Sequence, residues 1–167
     1  MTSPDSLNQV AEFHRTFHAP VLDTPQIPAP ARCELRVSLL AEELDELRDA
    51  IAANDLVAVA DALCDLQYVL SGAVLEFGLG RNFNQLFSEV QRSNMSKACA
   101  TVAEAEATVA QYTAKGVACH FVESDGMYLV YRDADRKTLK SVNYSPANLE
   151  SILVADLPVR QTDSGAV

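Results

Sequence analysis

The chain has 167 residues, of which 49% are hydrophobic and 22% are charged. This length and composition predict one soluble domain with a substantial core and make a second full domain improbable. The net charge of −10 opposes binding to nucleic acids or anionic membranes, because either partner requires a basic protein surface.

The cysteines and the first residues indicate a cellular compartment. Four cysteines lie far apart without a C-x-x-C pair, namely Cys33, Cys64, Cys99 and Cys119. The N-terminus lacks the charged and then apolar pattern of a secretion signal, and acids interrupt every apolar run long enough to span a bilayer. We therefore expect a cytoplasmic protein with reduced thiols and no membrane span.

A first helix is predicted from the cap pattern Ser3-Pro4 to about His18, because apolar residues recur at helical spacing. His14 and His18 are four residues apart, but no third soft metal ligand lies nearby, so we interpret them as a partly exposed pair. Four prolines in residues 19–31 then predict an extended connection.

Two long helices are predicted next. The first runs from about Arg32 to Ala53, and the second is capped by Asp55 and continues to about Phe77. The short turn between them makes them antiparallel neighbours. The first has a stripe of apolar residues that should face the core, formed by Leu40, Leu44, Leu47 and Ile51. The second is apolar nearly all round, so we expect burial on two sides and a second subunit, giving a homodimer.

Five acids on these two helices lie beside the apolar stripes, namely Glu42, Glu43, Glu46, Asp61 and Asp65. A buried carboxylate loses hydration worth on the order of several kcal/mol unless a cation or donors replace it, and neighbouring carboxylates raise one another's pKa. The acids therefore indicate a hard divalent cation, Mg²⁺ or Mn²⁺. The alternative is that they form solvated helix faces. Glu76, three turns beyond Asp65, is interpreted as structural.

A fourth helix is predicted from a cap at Asn82 to about Ala98. Three polar residues lie close together near its end, namely Arg92, Asn94 and Lys97. Such donors satisfy phosphate oxygens. The alternative is that they form surface ion pairs with the second helix.

The C-terminal part changes its periodicity. Thr101 and Glu104 predict a capping box for a fifth helix that ends at Gly116. Asp125-Gly126, between two apolar segments, predicts a β-hairpin with a tight turn. Beyond it we expect a third strand over Thr138–Val142, a short helix over Ala147–Leu153 and a frayed tail from Asp156.

Three motifs in order resemble those of the MazG-like all-α nucleoside triphosphate pyrophosphohydrolases, in the branch related to phosphoribosyl-ATP pyrophosphohydrolase. They are Glu42-Glu43-x-x-Glu46, then Asp61-x-x-x-Asp65-Leu-x-Tyr68, and then E-V-x-R-S-N-M-S-K from Glu89 to Lys97. The similarity covers most of residues 10–155, with the fifth helix and the hairpin as an insertion over about 101–142. Many members carry E-x-x-D on the second motif's helix, whereas Ala62 stands here at the E position and Asp61 precedes it.

The resemblance implies an all-α bundle of about four main helices, with the extra helix and the small β-hairpin, in one domain over residues 1–155 followed by a flexible tail over 156–167. It implies hydrolysis of a nucleoside or deoxynucleoside triphosphate between the α and β phosphates, to a monophosphate and pyrophosphate, in sanitation of the nucleotide pool. Mg²⁺ or Mn²⁺ would be held by Glu42, Glu43, Glu46 and Asp65, with Asp61 as a further candidate. Glu43 is the first choice for the catalytic base, and the substrate-binding candidates are Arg92, Asn94, Lys97 and Lys140.

Two alternatives stay open. The enzyme could act on phosphoribosyl-ATP, or the chain could be a non-catalytic helical module that binds cations or a partner protein, which the missing acid at Ala62 favours. A carboxylate-bridged di-iron protein is disfavoured, because its ligand pairs usually include histidine and neither acidic helix contains one.

Overall fold

The computed structural model describes residues 4–154 as six helices and one two-stranded antiparallel sheet. The helices are α1 (Ser6–Thr16), α2 (Pro30–Ala52), α3 (Leu56–Glu76), α4 (Phe83–Met95), α5 (Val102–Ala114) and α6 (Glu150–Val154). The strands β1 (Cys119–Ser124) and β2 (Met127–Arg132) lie between α5 and α6. The mainly helical architecture with a small hairpin towards the C-terminus is confirmed, whereas the predicted tail over 156–167 lies outside the described residues.

The described chain forms two compact units. The first contains α1, α2 and α3 and resumes at Leu153, and the second extends from Asn84 to Ile152. A division into compact units does not show whether either unit folds by itself. One domain over residues 1–155 therefore stays a prediction.

Local sequence explains where the helices of the first unit begin. Asp55 caps α3, since its carboxylate accepts hydrogen bonds from the backbone N–H groups of Val57 and Ala58. The helix α2 begins at Pro30, two residues earlier than predicted, because proline suits the first helical turn. The predicted cap Ser3 lies outside the described residues, and α1 begins at Ser6.

The proline-rich connection is extended, as predicted, and it is hydrogen-bonded to the end of α3. The N–H of Leu22 donates to the carbonyl of Leu75 at 3.0 Å, and the N–H of Gln26 to the carbonyl of Phe77 at 3.1 Å. Gly78 has φ +69°, and a Cβ there would stand 1.9 Å from the carbonyl oxygen of Thr24. Only glycine allows the connection to cross α3 at this point.

His14 is buried in the first unit, at 3% exposure, so the predicted partly exposed pair is wrong. Its Nδ1 donates to the carbonyl of Pro20 at 2.8 Å, because the connection folds back over α1. His18, by contrast, is exposed beyond the end of the helix.

The predicted burial of α3 all round is wrong within this chain. Leu56, Val57 and Leu63 are 80%, 81% and 52% exposed. The predicted core stripe of α2 is also only partly covered, since Leu44 and Ile51 are 51% and 62% exposed. In the described part of the first unit, α1 and α2 pack against α3 and leave these side chains exposed.

By length and composition alone, α3 could cross a membrane. It has 21 residues and a mean hydropathy of 1.4, and 22% of its apolar stretch is buried. Core helices of soluble proteins can have the same length and hydropathy, so the expected absence of a membrane span stays a prediction.

In the second unit, local signals are again confirmed. The N–H of Glu104 donates to the hydroxyl of Thr101 at 3.2 Å, which caps α5. Asp125 and Gly126 have φ of 50° and 77°, as a type I′ turn requires, and Ser124 pairs with Met127. The unit's core contains Cys99, Ala105, Val130 and Leu139.

One prediction for the C-terminal part is wrong, and another is confirmed with different bounds. Thr138–Val142 is not a strand, because only an isolated bridge joins Thr138 to Tyr131. The positive φ of Arg136, 57°, turns the chain just before it. The last helix, α6, begins at Glu150 rather than at Ala147.

Candidate active site

The five candidate metal ligands all lie in the first unit, on α2 and α3. Glu43 is half-buried, whereas the other four acids are exposed in this chain. The prediction that the acids are buried is therefore wrong for all but Glu43. The two helices leave this edge open, which gives water and a ligand access to the carboxylates.

Glu43 is the centre of the acidic group. Burial raises its pKa above the ordinary value, and the charges of the other four acids raise it further, in the order Asp65, Glu46, Glu42 and Asp61. The other four carboxylates therefore all lie within electrostatic reach of Glu43. Two of them, Asp61 and Asp65, belong to α3, so acids of both helices act on this one side chain.

A cleft of about 350 Å³ lies between α2 and α3 near their connecting turn. Glu46 lines it from α2 and Asp61 from α3, and small alanine side chains lie between them. Ala62 also lines the cleft but is only 3% exposed. A carboxylate at this position would be buried between the helices, whereas Asp61 holds its carboxylate at the surface.

The donor chemistry fits a hard divalent cation. The acidic group offers only carboxylate oxygens, and the exposed positions leave room for water to complete six-fold coordination. Within residues 4–154, no three acids, histidines or cysteines stand close enough to form a ready metal site. Neighbouring carboxylates repel one another, and a cation bound among them would relieve that repulsion.

The chain is similar in sequence to a known protein family. The model of the phosphoribosyl-ATP pyrophosphohydrolase family matches residues 10–94. The chain belongs to this family. The family is MazG-like, so the resemblance carried by the motifs is confirmed.

One curated relative is an uncharacterised protein, L479, of Acanthamoeba polyphaga mimivirus. It is 32% identical over 92 residues, which are 53% of this chain and 37% of the relative. The chain thus spans little more than a third of the length of the relative that it matches.

The family match includes the acids of α2 and α3 and ends at Asn94, so two substrate-binding candidates, Lys97 and Lys140, lie beyond it. All four such candidates belong to the second unit. Lys97 donates to the amide oxygen of Asn94 at 2.8 Å, and the ammonium of Lys140 lies 4.3 Å from the ring centre of Tyr144.

Arg92 is already engaged by protein groups. It donates two hydrogen bonds to the carboxylate of Glu89, at 2.7 and 2.8 Å, and others to Ser145 and to the carbonyl of Pro146. Hydrogen bonds from Arg92 and from the N–H of Asn148 lower the pKa of Glu89 to about 2. Arg92 thus joins α4 to the segment after residue 144.

Sequence reasoning missed the importance of Tyr144, which was noted only within a motif. Its hydroxyl lies 3.0 Å from the hydroxyl of Ser93, 51 residues away along the chain. The signal available was the run of polar residues at the end of α4, which requires partners from another segment.

Proposed function

We propose that the chain is a metal-dependent pyrophosphohydrolase that cleaves a nucleoside or deoxynucleoside triphosphate between the α and β phosphates, giving a monophosphate and pyrophosphate. The observation that carries this proposal is the grouping of four acids of α2 and α3 around half-buried Glu43, whose pKa they raise. A carboxylate whose pKa is raised by burial and by neighbouring acids is more typical of a functional site than of a solvated helix face. The family match, which spans all five acids, supports the same conclusion.

The proposed cofactor is Mg²⁺ or Mn²⁺, held by Glu42, Glu46 and Asp65, with Asp61 as a further ligand. Carboxylate oxygens favour these hard ions over softer metals, which prefer nitrogen and sulfur. When bound, the cation stabilises the negative charge on the leaving pyrophosphate and lowers the pKa of a bound water.

Glu43 is the proposed general base, and it can alternatively complete the metal ligands. A raised pKa makes a carboxylate a stronger proton acceptor, and a general base works best when its pKa approaches the operating pH. The water oxygen forms a bond to the α phosphorus, the bond from that phosphorus to the bridging oxygen breaks, and the water's proton passes to Glu43.

The proposed phosphate donors are Asn94, Lys97 and Lys140. The two ammonium groups supply positive charge, and the Asn94 amide supplies a neutral donor. Arg92 is the weakest of the four predicted donors, because Glu89 already accepts two of its hydrogen bonds.

A pyrophosphate-release assay tests the proposal. Wild-type protein is incubated with each common ribonucleoside and deoxyribonucleoside triphosphate, with Mg²⁺ and then with Mn²⁺. We expect release with at least one nucleotide and its loss in Glu43→Gln. The matched control is Asp45→Asn, which removes an exposed acid of the same helix that pairs with Arg48. No release from any nucleotide would contradict the proposal and favour the non-catalytic module.

A second candidate substrate is phosphoribosyl-ATP, which the name of the matching family favours. The bond broken would be the same, so the acidic group would serve either substrate. The test uses a strain that lacks its own phosphoribosyl-ATP pyrophosphohydrolase. If this chain restores growth without histidine and its Glu43→Gln variant does not, phosphoribosyl-ATP is a substrate.

We further propose that the chain acts in the cytoplasm, in sanitation of the nucleotide pool, as a homodimer. The exposed apolar side of α2 and α3, which includes Leu44, Ile51 and Leu63, supports a second copy as its cover. The negative charge of these helices disfavours nucleic acid and anionic lipid as the cover instead.

A further inference from the structure

A compact group of polar side chains lies at the end of α4 in the second unit. Ser93 is buried, at 3% exposure, and its hydroxyl is 3.0 Å from the hydroxyl of Tyr144. The Lys140 ammonium lies over the ring of Tyr144, 4.3 Å from its centre. Tyr144 therefore makes two contacts. Its hydroxyl contacts the buried hydroxyl of Ser93, and its ring contacts the ammonium of Lys140.

The group carries positive charge that the described protein does not neutralise. Within residues 4–154, neither Lys97 nor Lys140 forms a salt bridge with a carboxylate. The nearby acid Glu89 is bound by Arg92. Two ammonium groups near one hydroxyl repel each other, and an anion between them would remove that repulsion.

The Tyr144 hydroxyl responds to this charge. Its pKa is lowered first by the hydrogen bond with Ser93 and then, against the opposing effect of burial, by the positive charges of Lys140 and Lys97. Arg92 also lies within electrostatic reach of this hydroxyl. Among the described residues, Lys140, Lys97 and Arg92 therefore place positive charge near Tyr144, and Arg92 is itself bound by Glu89.

The Tyr144 hydroxyl is not needed to hold its own segment in place. The N–H of Ser145 donates to the hydroxyl of Ser96 at 3.0 Å, and the N–H of Asn148 donates to Glu89 at 2.8 Å. The N–H of Lys140 is held independently, by the hydroxyl of Tyr112 at 3.2 Å. Removing only the phenolic oxygen should leave the backbone of this segment where it is.

We propose that Tyr144, Lys97 and Lys140 form a binding site for the phosphate oxygens of a polyphosphate anion, in which Tyr144 both positions Lys140 and contacts the anion. Its ring holds the Lys140 ammonium, and its hydroxyl, oriented by Ser93, donates a hydrogen bond to the same anion. The inference rests on the proposed function for the identity of the natural ligand, a nucleoside triphosphate.

Binding of inorganic tripolyphosphate to the full chain tests this site without catalysis. Tyr144→Phe keeps the ring and removes the hydroxyl, so we expect the Kd to rise about threefold to tenfold, as loss of one hydrogen bond implies. The matched control is Tyr131→Phe, whose ring contacts the Arg136 guanidinium at 5.7 Å. Lys140→Gln should weaken binding more than Lys115→Gln, whose ammonium lies 5.6 Å from the ring centre of Tyr112. Equal affinity in Tyr144→Phe and wild type would overturn the proposal.

Tyrosine absorbance gives a readout that a merely structural role would not change. The chain has five tyrosines and no tryptophan, so phenolate formation can be followed by ultraviolet absorbance during a pH titration. One phenol should titrate at a lower pH than the rest. This early titration step should be lost in Tyr144→Phe and should remain in Tyr131→Phe. Saturating tripolyphosphate should raise its pKa, because the anion offsets the lysine charges and repels a phenolate. An unchanged titration would contradict binding at this hydroxyl.

The same variants separate this inference from the proposed function. If the wild type releases pyrophosphate but Tyr144→Phe retains its KM, kcat and tripolyphosphate affinity, the function stands and the inference fails. If no nucleotide is hydrolysed but tripolyphosphate binding depends on Tyr144, the inference stands and the function fails. If both stand, Tyr144→Phe should raise KM with a smaller effect on kcat.

Discussion

Arg36 of α2 and Glu76 of α3 form an ion pair in the interior of the first unit, where they are 8% and 1% exposed. Arg32 donates to the same carboxylate from one turn earlier on α2. Burial alone would raise the pKa of Glu76, but hydrogen bonds from Arg36 and Arg32 outweigh it and hold the pKa below its ordinary value. The pair joins α2 to α3, the two helices that carry the five acids.

We predict that Glu76→Gln lowers the free energy of unfolding by about 3–5 kcal/mol, because it leaves a buried guanidinium without a counter-charge. Denaturation by urea, followed by circular dichroism, measures the change. A matched control is Glu34→Gln, which removes an exposed acid of α2 and should have little effect. Equal losses in both variants would show that the pair does not stabilise the unit.

The same carboxylate gives a prediction about pH. Because the pKa of Glu76 is lower in the folded state than its ordinary value of 4.5, its charged form stabilises the protein above about pH 4.5. That contribution is lost as pH falls through the lowered pKa. The difference in unfolding free energy between wild type and Glu76→Gln should therefore shrink below pH 4.5, and a difference that stays constant down to pH 3 would contradict this.

Gly72 gives a second test of the buried cluster. Alanine within a helix is usually more stable than glycine by about 1 kcal/mol. Here a Cβ would lie 2.7 Å from Nη1 of Arg36 and 3.0 Å from Nε2 of His14. We predict that Gly72→Ala destabilises the protein by about 1–3 kcal/mol, as overpacking does. The loss should become smaller in an Arg36→Ala background, and an equal loss there would show that the clash is not its cause.

These three predictions concern contacts that the sequence alone does not reveal. The cap at Asp55 and the type I′ turn at Asp125-Gly126 could be predicted because they depend on residues within a few positions. Arg36 and Glu76 are 40 residues apart. Their pairing depends on how α2 packs against α3, which periodicity indicates only by helix face.

For the candidate site, too, the sequence predicted part of the arrangement and not the rest. Helical spacing placed the acids of α2 on one face and those of α3 on one face, and Glu43 does respond to the other four. Their exposure was not predictable, because it depends on which elements cover the helices. The apolar side chains of Leu44 and Ile51 suggested a core face, yet nothing within residues 4–154 covers either one fully.

We predict that Glu43→Gln lowers kcat about 10²- to 10⁴-fold, the usual contribution of a general base. The same variant should raise the unfolding midpoint in the presence of a chelator, because it removes one of several carboxylates that repel each other. Addition of Mg²⁺ should stabilise the wild type more than the variant. The control Asp45→Asn should match the wild type in kcat, in the unfolding midpoint with chelator and in stabilisation by Mg²⁺. Unchanged activity in both Glu43→Gln and Asp65→Asn would show that the acidic group has no part in the mechanism.

The last prediction concerns the exposed apolar side of α2 and α3. Leu56, Val57 and Leu63 of α3 are more than half exposed, and soluble proteins rarely leave such a surface in water. We expect sedimentation at low micromolar concentration to give about twice the chain mass of 18.1 kDa, and unfolding midpoints that rise with protein concentration.

Leu63→Lys should dissociate the dimer, whereas Val122→Lys, at a site 39% exposed on β1, should not. A wild-type monomer at these concentrations would contradict the homodimer, and binding of that monomer to neutral phospholipid vesicles would identify lipid as the cover of α3. If the dimer forms and the Leu63→Lys monomer loses pyrophosphohydrolase activity while remaining folded, the second copy is required for a complete site.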